Sequence, residues 1–163
     1  MAPIKNLKPM KPSSMSPFAP KPDYIYKLDL KVRDYECDMQ GIVNNAIYQH
    51  YLEHCRHEFL LSRGIDFNRL TQKKVFLVVV RAELDYKTPL RSGDSFWIGV
   101  NLEHISPVRF VFLQDIFRSP DQKPILSART TGTALNEKGR PHIPQQFTDL
   151  LAAPEKDREN PEE

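Results

Sequence analysis

The chain contains one long amphipathic stretch suited to a helix, with alternating stretches suited to strands on either side of it. The helix is predicted over Asn45–Arg63, because apolar residues recur there at three- and four-residue spacing until Gly64. An alternating stretch, Tyr24–Arg33, precedes it and predicts a half-buried strand. A lone helix buries its apolar stripe only against another apolar surface. This order therefore predicts a sheet that curls around one helix.

Four further strands, each about ten residues long, are predicted after the helix. Turn compositions separate them, at Pro89 and Gly93, at Ser106-Pro107 and at residues 119–124. The predicted strands are Val75–Lys87, Ser95–Ser106, Val108–Arg118 and Ile125–Asn136, with a short helical turn near Asp66–Leu70 ahead of the first. Short connections favour antiparallel neighbours. We therefore expect an α+β fold with an antiparallel sheet of five to six strands around a long central helix.

Length and charge predict one folded domain between two tails. The chain has 163 residues and a formal charge of +2. Residues 1–22 hold four lysines, six prolines and no acid, and residues 151–163 are mainly acidic, which leaves 23–150 as the domain. The N-terminal composition predicts a solvated tail, with organelle targeting as the alternative. Because the charge of the body is mixed in sign and no long apolar run occurs, we expect neither nucleic-acid binding nor a membrane span.

The loop that precedes the helix carries the candidate chemistry. It places the carboxylate of Asp38 and the turn-forming Gly41 ahead of two good N-cap residues, Asn44 and Asn45. A helix start offers unpaired N–H groups and a partial positive charge, which stabilise an oxygen that becomes negative. Capping and turn formation alone would explain most of this pattern, but Asp38 lies six residues ahead of Asn44, too far to be the N-cap.

Two stretches of the chain carry a resemblance to a known family. The segment Val32–Glu58, with its GIVNN turn and its RHE helix, resembles the active-site segment of hotdog-fold thioesterases of the 4-hydroxybenzoyl-CoA thioesterase group. It is most similar to the plant-type acyl-ACP thioesterases related to methylketone synthase. The segment Val78–Asp94 is similar to the central strand of that group and the turn after it. The resemblance covers residues from Tyr24 to Pro144.

This resemblance implies a hotdog fold and a thioesterase that hydrolyses fatty acyl thioesters, acyl-CoA or acyl-ACP, to free acid and thiol. It further implies a homo-oligomer, dimer or tetramer, that pairs edge to edge and needs no metal or redox cofactor. Asp38 matches the catalytic carboxylate. The backbone at Asn44 and Asn45 matches the element that polarises the thioester carbonyl. Bacterial members often carry Tyr or His where Asn45 stands, so only the backbone role is carried over. We expect a cytoplasmic protein, with the plastid stroma as the alternative.

Two roles for Asp38 stay open at this point. It either attacks the carbonyl carbon or removes a proton from an attacking water. We favour the nucleophile, because an aspartate is ordinarily ionised at neutral pH and is a weak base. Candidate substrate-binding residues come from the matched segments, from the anion-binding chemistry of arginine and, for Phe76, from the apolar tunnel that an acyl chain needs. They are Gly41, Val43, Tyr48, Arg56, Phe76, Arg81 and Arg91.

The same residues allow other interpretations. His50 and His54 are spaced to share a helix face as metal ligands do, but polar side-chain contacts explain them better. A hotdog dehydratase or hydratase would need a catalytic His near the loop or the helix start, and the nearest, His50, lies more than a turn into the helix. A non-catalytic acyl-binding module is the third class. The polar face of the helix, with Gln49, Glu53, Arg56, His57 and Arg63, is expected to point toward solvent or a partner, with Arg56 in an interface salt bridge. The strand aromatics, Phe76 included, are expected to lie mostly in the core.

Overall fold

Over the residues that the structure describes, five strands and two helices follow the order expected from the sequence, and a third helix comes after them. A computed structural model describes residues 23–152. The predicted N-terminal tail, 1–22, lies outside the described residues, and so do residues 153–163 of the predicted C-terminal tail. The strands are β1 (Tyr26–Lys31), β2 (Phe76–Tyr86), β3 (Ser95–Ser106), β4 (Arg109–Ser119) and β5 (Lys123–Leu135). The helices are α1 (Asn45–Ser62), α2 (Phe67–Gln72) and α3 (Gln145–Ala152), with a 3-10 turn at Asp34–Glu36.

All five strands form one sheet in the order β1-β3-β4-β5-β2. Every neighbouring pair is antiparallel, as the short turns predicted. Strands β1 and β2 form the two edges, and β2 has a register shift between Val79 and Arg81, at a β-bulge. The sheet wraps around α1, which confirms the predicted hotdog architecture.

Helix α1 begins and ends where capping chemistry places its ends. The Asn44 side chain accepts a hydrogen bond from the Ala46 N–H at 2.9 Å, and Gly64, with φ of 73°, follows the last turn. The helix buries one stripe: Tyr48, Tyr51, Leu52, Cys55, Phe59 and Leu60. It lies closest to β3 and β1. Within residues 23–152, no helix has the length and apolar character that crossing a membrane requires.

Helix α3 was not expected from the sequence. Its buried residue Phe147 packs against Phe110 of β4, with ring centroids 4.5 Å apart. The apolar residues Phe147, Leu150 and Leu151 follow Pro144 at helical spacing, and this was the signal available for it. Two turns of helix are too short for that spacing to stand out from a proline-rich region.

The core lies between α1 and the inner face of the sheet. Several of the strand aromatics expected in the core are there, Phe96, Phe110 and Phe112 among them, whereas Phe117 is buried against Trp97, with ring centroids 4.8 Å apart. Phe76 is not: its side chain is 41% exposed. The reason is its place on β2, which is an edge strand, so that side chains there lack a neighbour on one side.

Candidate active site

The loop between β1 and α1 is held in place by backbone hydrogen bonds. The Asp38 N–H donates to the Ile42 carbonyl at 2.9 Å, and the Gly41 N–H donates to the Asp38 carbonyl at 3.0 Å. Gly41 has φ of 74°, a left-handed conformation that favours glycine. The Val43 N–H donates to the Leu90 carbonyl at 2.9 Å, which ties the loop to the turn after β2. The loop is therefore a fixed platform for the side chain of Asp38.

The Asp38 carboxylate lies at the exposed tip of this loop. Its Oδ1 accepts a hydrogen bond from the Gln40 N–H at 2.8 Å, which orients the side chain. Within residues 23–152, its Oδ2 has no donor. One oxygen is thus used to hold the turn and the other faces outward. The turn-forming role and a chemical role are compatible in the same side chain.

The start of α1 presents one unused backbone donor. The Ala46 N–H is taken by the Asn44 side chain, and the Ile47 N–H donates to the Asn44 carbonyl at 2.9 Å. The Asn45 N–H has no acceptor within the described part of the chain. It lies at the positive end of the helix dipole, where a developing negative oxygen is stabilised. A carbonyl oxygen placed here would meet a donor that is already oriented.

A buried polar cluster supports the loop from below, and sequence reasoning missed it. The Glu36 carboxylate, only 6% exposed, accepts hydrogen bonds from the Tyr51 hydroxyl at 2.5 Å and the Arg33 N–H at 2.8 Å. The Arg33 guanidinium donates to its other oxygen at 3.1 Å. The Glu36 carbonyl accepts from the Asn44 N–H at 3.0 Å, which fixes the residue ahead of the helix. Burial and the hydrogen bond to Glu36 raise the pKa of Tyr51, so its hydroxyl stays a donor.

Two tyrosines connect the helix start to the sheet. The Tyr86 hydroxyl donates to the Asn45 carbonyl at 3.1 Å, and the Tyr48 hydroxyl accepts from the Leu90 N–H at 3.0 Å. Their rings meet edge to face, with centroids 5.6 Å apart. The first turn of α1 is therefore fixed relative to the end of β2.

A slot lined by both apolar and polar side chains runs along α1 above β2 and β5. The strand residues below it are small: Ala82 faces Thr130 across the strand pair, and Gly132 lies further along β5. A Cβ built on Gly132 would lie 2.6 Å from the Phe110 ring, so a larger residue there would displace that ring. Because α1 lies closest to β3 and β1, these small residues leave space on the β2 side of the helix. The space consists of two cavities of about 160 and about 80 Å³.

Arg56 lies between these two cavities and does not point into solvent as expected. Its guanidinium donates to the Gln114 side-chain oxygen at 3.0 Å and lies over the Phe112 ring, 5.9 Å from the centroid. Gln114 is 1% exposed and donates in turn to the Leu52 carbonyl at 3.0 Å. Burial lowers the pKa of Arg56. Within one chain, the curled sheet therefore covers part of the polar face of the helix, and the interface salt bridge expected for Arg56 stays a prediction.

His57, on the same helix face, is half-buried against the Phe67 ring, with ring centroids 4.2 Å apart. Burial lowers the pKa of His57, and Glu53, 3.8 Å away, opposes that shift without reversing it. Both Glu53 and His57 belong to the polar helix face that was predicted from the sequence. Arg63, also expected on the polar face, donates to the Ile25 carbonyl at 3.2 Å instead.

The lowered pKa of His57 predicts that acid destabilises the fold. As pH falls below the ordinary histidine value of about 6.5, the unfolded chain takes up a proton that the folded protein resists. The urea midpoint should therefore fall over this range and be steady above it. The variant His57→Gln should show a shallower fall, and the exposed-site control His104→Gln should behave like the wild type. An equal slope in His57→Gln would contradict the assignment.

The structure brings together only some of the other candidate residues. Gly41, Val43 and Tyr48 lie in or directly beside the loop, and the guanidinium of Arg91 lies about 4.0 Å from the position that a Cβ on Gly41 would take. Arg81 lies on the outer side of β2 and pairs with Glu83 at 2.8 Å.

Phe76, at the far end of β2, is about 30 Å of strand away from Tyr86. Neither Phe76 nor Arg81 lies near Asp38 in one protomer.

His50 and His54 lie on the opposite side of α1 from the slot. They line a groove of about 860 Å³ beside β1, together with Arg33 and Glu36. Within residues 23–152, no three side chains of the kinds that bind metals are grouped to hold an ion.

The fold and the loop geometry place this protein among hotdog-fold domains with a carboxylate ahead of the central helix. The chain belongs to the thioesterase-like superfamily, whose family model matches residues 32–154. It is 43% identical over 116 residues to the Arabidopsis thaliana acyl-acyl carrier protein thioesterase ATL2, chloroplastic, covering 71% of this chain and 62% of that relative. The chain thus spans about three fifths of the length of that relative.

Two further similarities extend to bacteria. The long-chain acyl-CoA thioesterase FadM of Escherichia coli is 28% identical over 109 residues, covering 67% of this chain and 82% of FadM. The crystal structure of Slr0204, a 1,4-dihydroxy-2-naphthoyl-CoA thioesterase from Synechocystis, matches with a TM-score of 0.74 and 16% identity. That match covers 77% of this chain and 94% of Slr0204, and it concerns the fold.

Proposed function

We propose that the protein hydrolyses fatty acyl thioesters, of coenzyme A or acyl carrier protein, to a free acid and a thiol. The observation that carries this proposal is the pairing of two features at one loop. The exposed carboxylate of Asp38 lies on a turn that is held by hydrogen bonds, a few residues ahead of the start of α1. At that start, the Asn45 N–H has no acceptor within the described residues. The thioesterase names of ATL2 and FadM support the same reaction class.

In the proposed reaction, the thioester carbonyl oxygen accepts a hydrogen bond from the Asn45 N–H. An Asp38 oxygen attacks the carbonyl carbon, the C–S bond breaks, and the thiolate leaves with the electron pair. Water then opens the acyl anhydride, releases the fatty acid and restores the carboxylate. One well-placed backbone donor contributes on the order of 3 kcal/mol to such a transition state. If Asp38 acts as a base, the same two groups activate water directly and the products are identical.

The slot beside α1 supports a fatty acyl substrate. It begins at the turn of helix that carries Gln49, next to the helix start, and its walls include Leu52 and Leu84. An alkyl chain enters such a slot because apolar surface leaves water. His50, the base that a dehydratase or hydratase would use, lies in the groove on the other side of α1. This position favours hydrolysis over hydration.

Release of free thiol from a panel of acyl-CoA and acyl-ACP substrates tests the proposal. We expect turnover with at least one fatty acyl group on one of the two carriers, and the better carrier identifies the natural thiol. Loss of a crotonyl or hydroxyacyl thioester without thiol release would favour a hydratase or dehydratase. Tight binding without turnover of any substrate would favour an acyl-binding module.

We propose further that β2 pairs with β2 of a second copy in a homodimer, the unit from which a tetramer would be built. It is an edge strand of 11 residues with exposed apolar side chains, among them Val79, Val80 and Tyr86 at 56%, 46% and 50% exposure. Unpaired edges with apolar side chains are rare unless another chain covers them. A two-fold axis across this edge would join two sheets into one and bring two slots side by side.

The variant Val80→Lys should weaken this dimer. A charge placed at the centre of the edge would be buried against its own copy, which is unfavourable. Sedimentation is expected to give twice the mass of the chain, or a multiple of it, for the wild type, and a larger monomer fraction for Val80→Lys. The exposed-site control Thr71→Lys, on α2, should sediment like the wild type. A monomeric wild type would contradict the dimer.

For the location, we keep the cytoplasm as the first proposal and the plastid stroma as the second. The chloroplastic designation of ATL2 supports the second. A fluorescent fusion of the full chain, expressed in plant cells, separates them by its overlap with chlorophyll.

A further inference from the structure

We propose that Arg56 sets the length of the acyl chain that the protein accepts, by dividing the slot beside α1 into a used half and a closed half. This inference rests on the proposed thioesterase function. It concerns a residue far from the reacting atoms that contacts only the distal end of the substrate.

The two halves of the slot have different walls. The near cavity, toward the helix start, is lined by Gln49, Leu52, Ala82 and Leu84, and has a volume of about 160 Å³. The far cavity, of about 80 Å³, is lined by the more apolar set Leu60, Phe67, Leu77, Phe110, Phe112 and Gly132. Both cavities share Glu53, Arg56, Val79 and Thr130. Arg56 belongs to the boundary and not to either half alone.

Arg56 is held at this boundary by a buried partner. Its guanidinium donates to Gln114 at 3.0 Å, and Gln114 is anchored by the Leu52 carbonyl at 3.0 Å. Gln114 is 1% exposed, so it has no room to move aside without leaving polar atoms unpaired. Glu53 lies on the same boundary but is exposed, and it lacks such a partner within the described residues. The guanidinium is therefore a fixed polar partition.

A polar group in the slot stops an alkyl chain because burying further methylenes beyond it no longer lowers the free energy of binding. Methylenes that reach the far cavity would have to displace the guanidinium from Gln114 or strip it of its remaining water, and both are costly. From Asn45 to Arg56 the helix rises about 16 Å, at about 1.5 Å for each residue. At about 1.3 Å of advance for each C–C bond, this corresponds to an acyl chain of roughly a dozen carbons. The proposal thus predicts a medium-chain preference.

The test is a series of acyl-CoA substrates from octanoyl to stearoyl, assayed by thiol release with the full chain and with Arg56→Met. Methionine has a similar length but no charge, so the two cavities become one apolar slot. The ratio of kcat/KM for palmitoyl to lauroyl should rise about tenfold or more, since one methylene in an apolar pocket is worth at least about that factor. Arg56→Lys, which retains a charge, should keep the wild-type ratio. An unchanged ratio in Arg56→Met would overturn the proposal.

If Arg56→Met does not fold, the variant Leu77→Trp tests whether Arg56 limits the acyl chain length. Leu77→Trp fills the far cavity and leaves Arg56 in place, so the palmitoyl-to-lauroyl ratio should stay at the wild-type value. A fall of about tenfold in that ratio would show that acyl chains already pass Arg56, and would overturn the proposal. Leu84→Phe, in the near cavity, should lower lauroyl relative to octanoyl turnover. A wild type that releases no thiol from any substrate would instead refute the proposed function.

Discussion

Replacing Asp38 with Asn is expected to lower kcat for thioester hydrolysis by about two orders of magnitude or more with the fold intact. The amide is nearly the same size and still accepts from the Gln40 N–H, so the turn that holds the loop is retained. What it loses is the negative charge needed to attack the carbonyl carbon or to remove a proton from water. The measurement is thiol release under saturating substrate, with circular dichroism and the urea midpoint to show an unchanged fold.

Two matched variants make this result specific. Asn45→Ala keeps the backbone N–H that is proposed to polarise the carbonyl, so its loss should be far smaller than that of Asp38→Asn, provided that α1 still starts at the same residue. Asp149→Asn, an equivalent change on the exposed side of α3, should have wild-type activity. Near-full hydrolysis by Asp38→Asn would refute the role given to this carboxylate. A large loss in Asn45→Ala would show that its side chain acts as well.

Removing the buried carboxylate of Glu36 should produce the second large effect, a loss of about 3 kcal/mol in the free energy of unfolding for Glu36→Ala. The substitution leaves the buried Tyr51 hydroxyl and the Arg33 N–H without the acceptor that they use at 2.5 and 2.8 Å. The hydrogen bonds to a charged acceptor are lost, and a buried donor is left unpaired. Urea unfolding monitored by tryptophan fluorescence gives the difference directly.

A double variant separates this explanation from simple loss of packing. Glu36→Ala with Tyr51→Phe removes the donor together with its acceptor, so it should be no less stable than Glu36→Ala alone. Glu137→Ala is the surface control, because its pair with Lys74 is exposed on both sides and should contribute about 1 kcal/mol or less. If the loss in the free energy of unfolding of the double variant equals the sum of the losses of the two single variants, Glu36 and Tyr51 do not act as a unit.

The sequence predicted the fold well because its signals are local. Alternation and turn residues define β3 at the bounds that the structure has, and they place β2 and β5 within two residues. The N-terminal end of α1 follows from Asn44 and its cap. Helix α3 was missed because its short apolar spacing has meaning only once Phe110 is there to receive Phe147.

In the candidate site, too, local features were predictable from the sequence and features that depend on tertiary contacts were not. The loop that carries Asp38 and the helix start are contiguous in sequence, so their juxtaposition was predictable. The support from Glu36 was not, because it depends on Tyr51, a residue on the far side of the loop that only the fold brings within hydrogen-bond distance. The contact of Arg56 with Gln114 was not predictable for a related reason. A helix wheel shows which residues share a face, but not how far a curled sheet covers that face.

The position of the proposed reacting groups and the space proposed for the substrate depend on different parts of this fold. The proposed reacting groups lie on a loop whose shape depends on backbone hydrogen bonds, whereas the space proposed for the substrate lies above the small side chains of Ala82 and Thr130. Enlarging a strand residue takes up volume without moving Asp38. Under the proposed function, single substitutions in the sheet would change which acids are produced, while the chemistry of release would stay as it was.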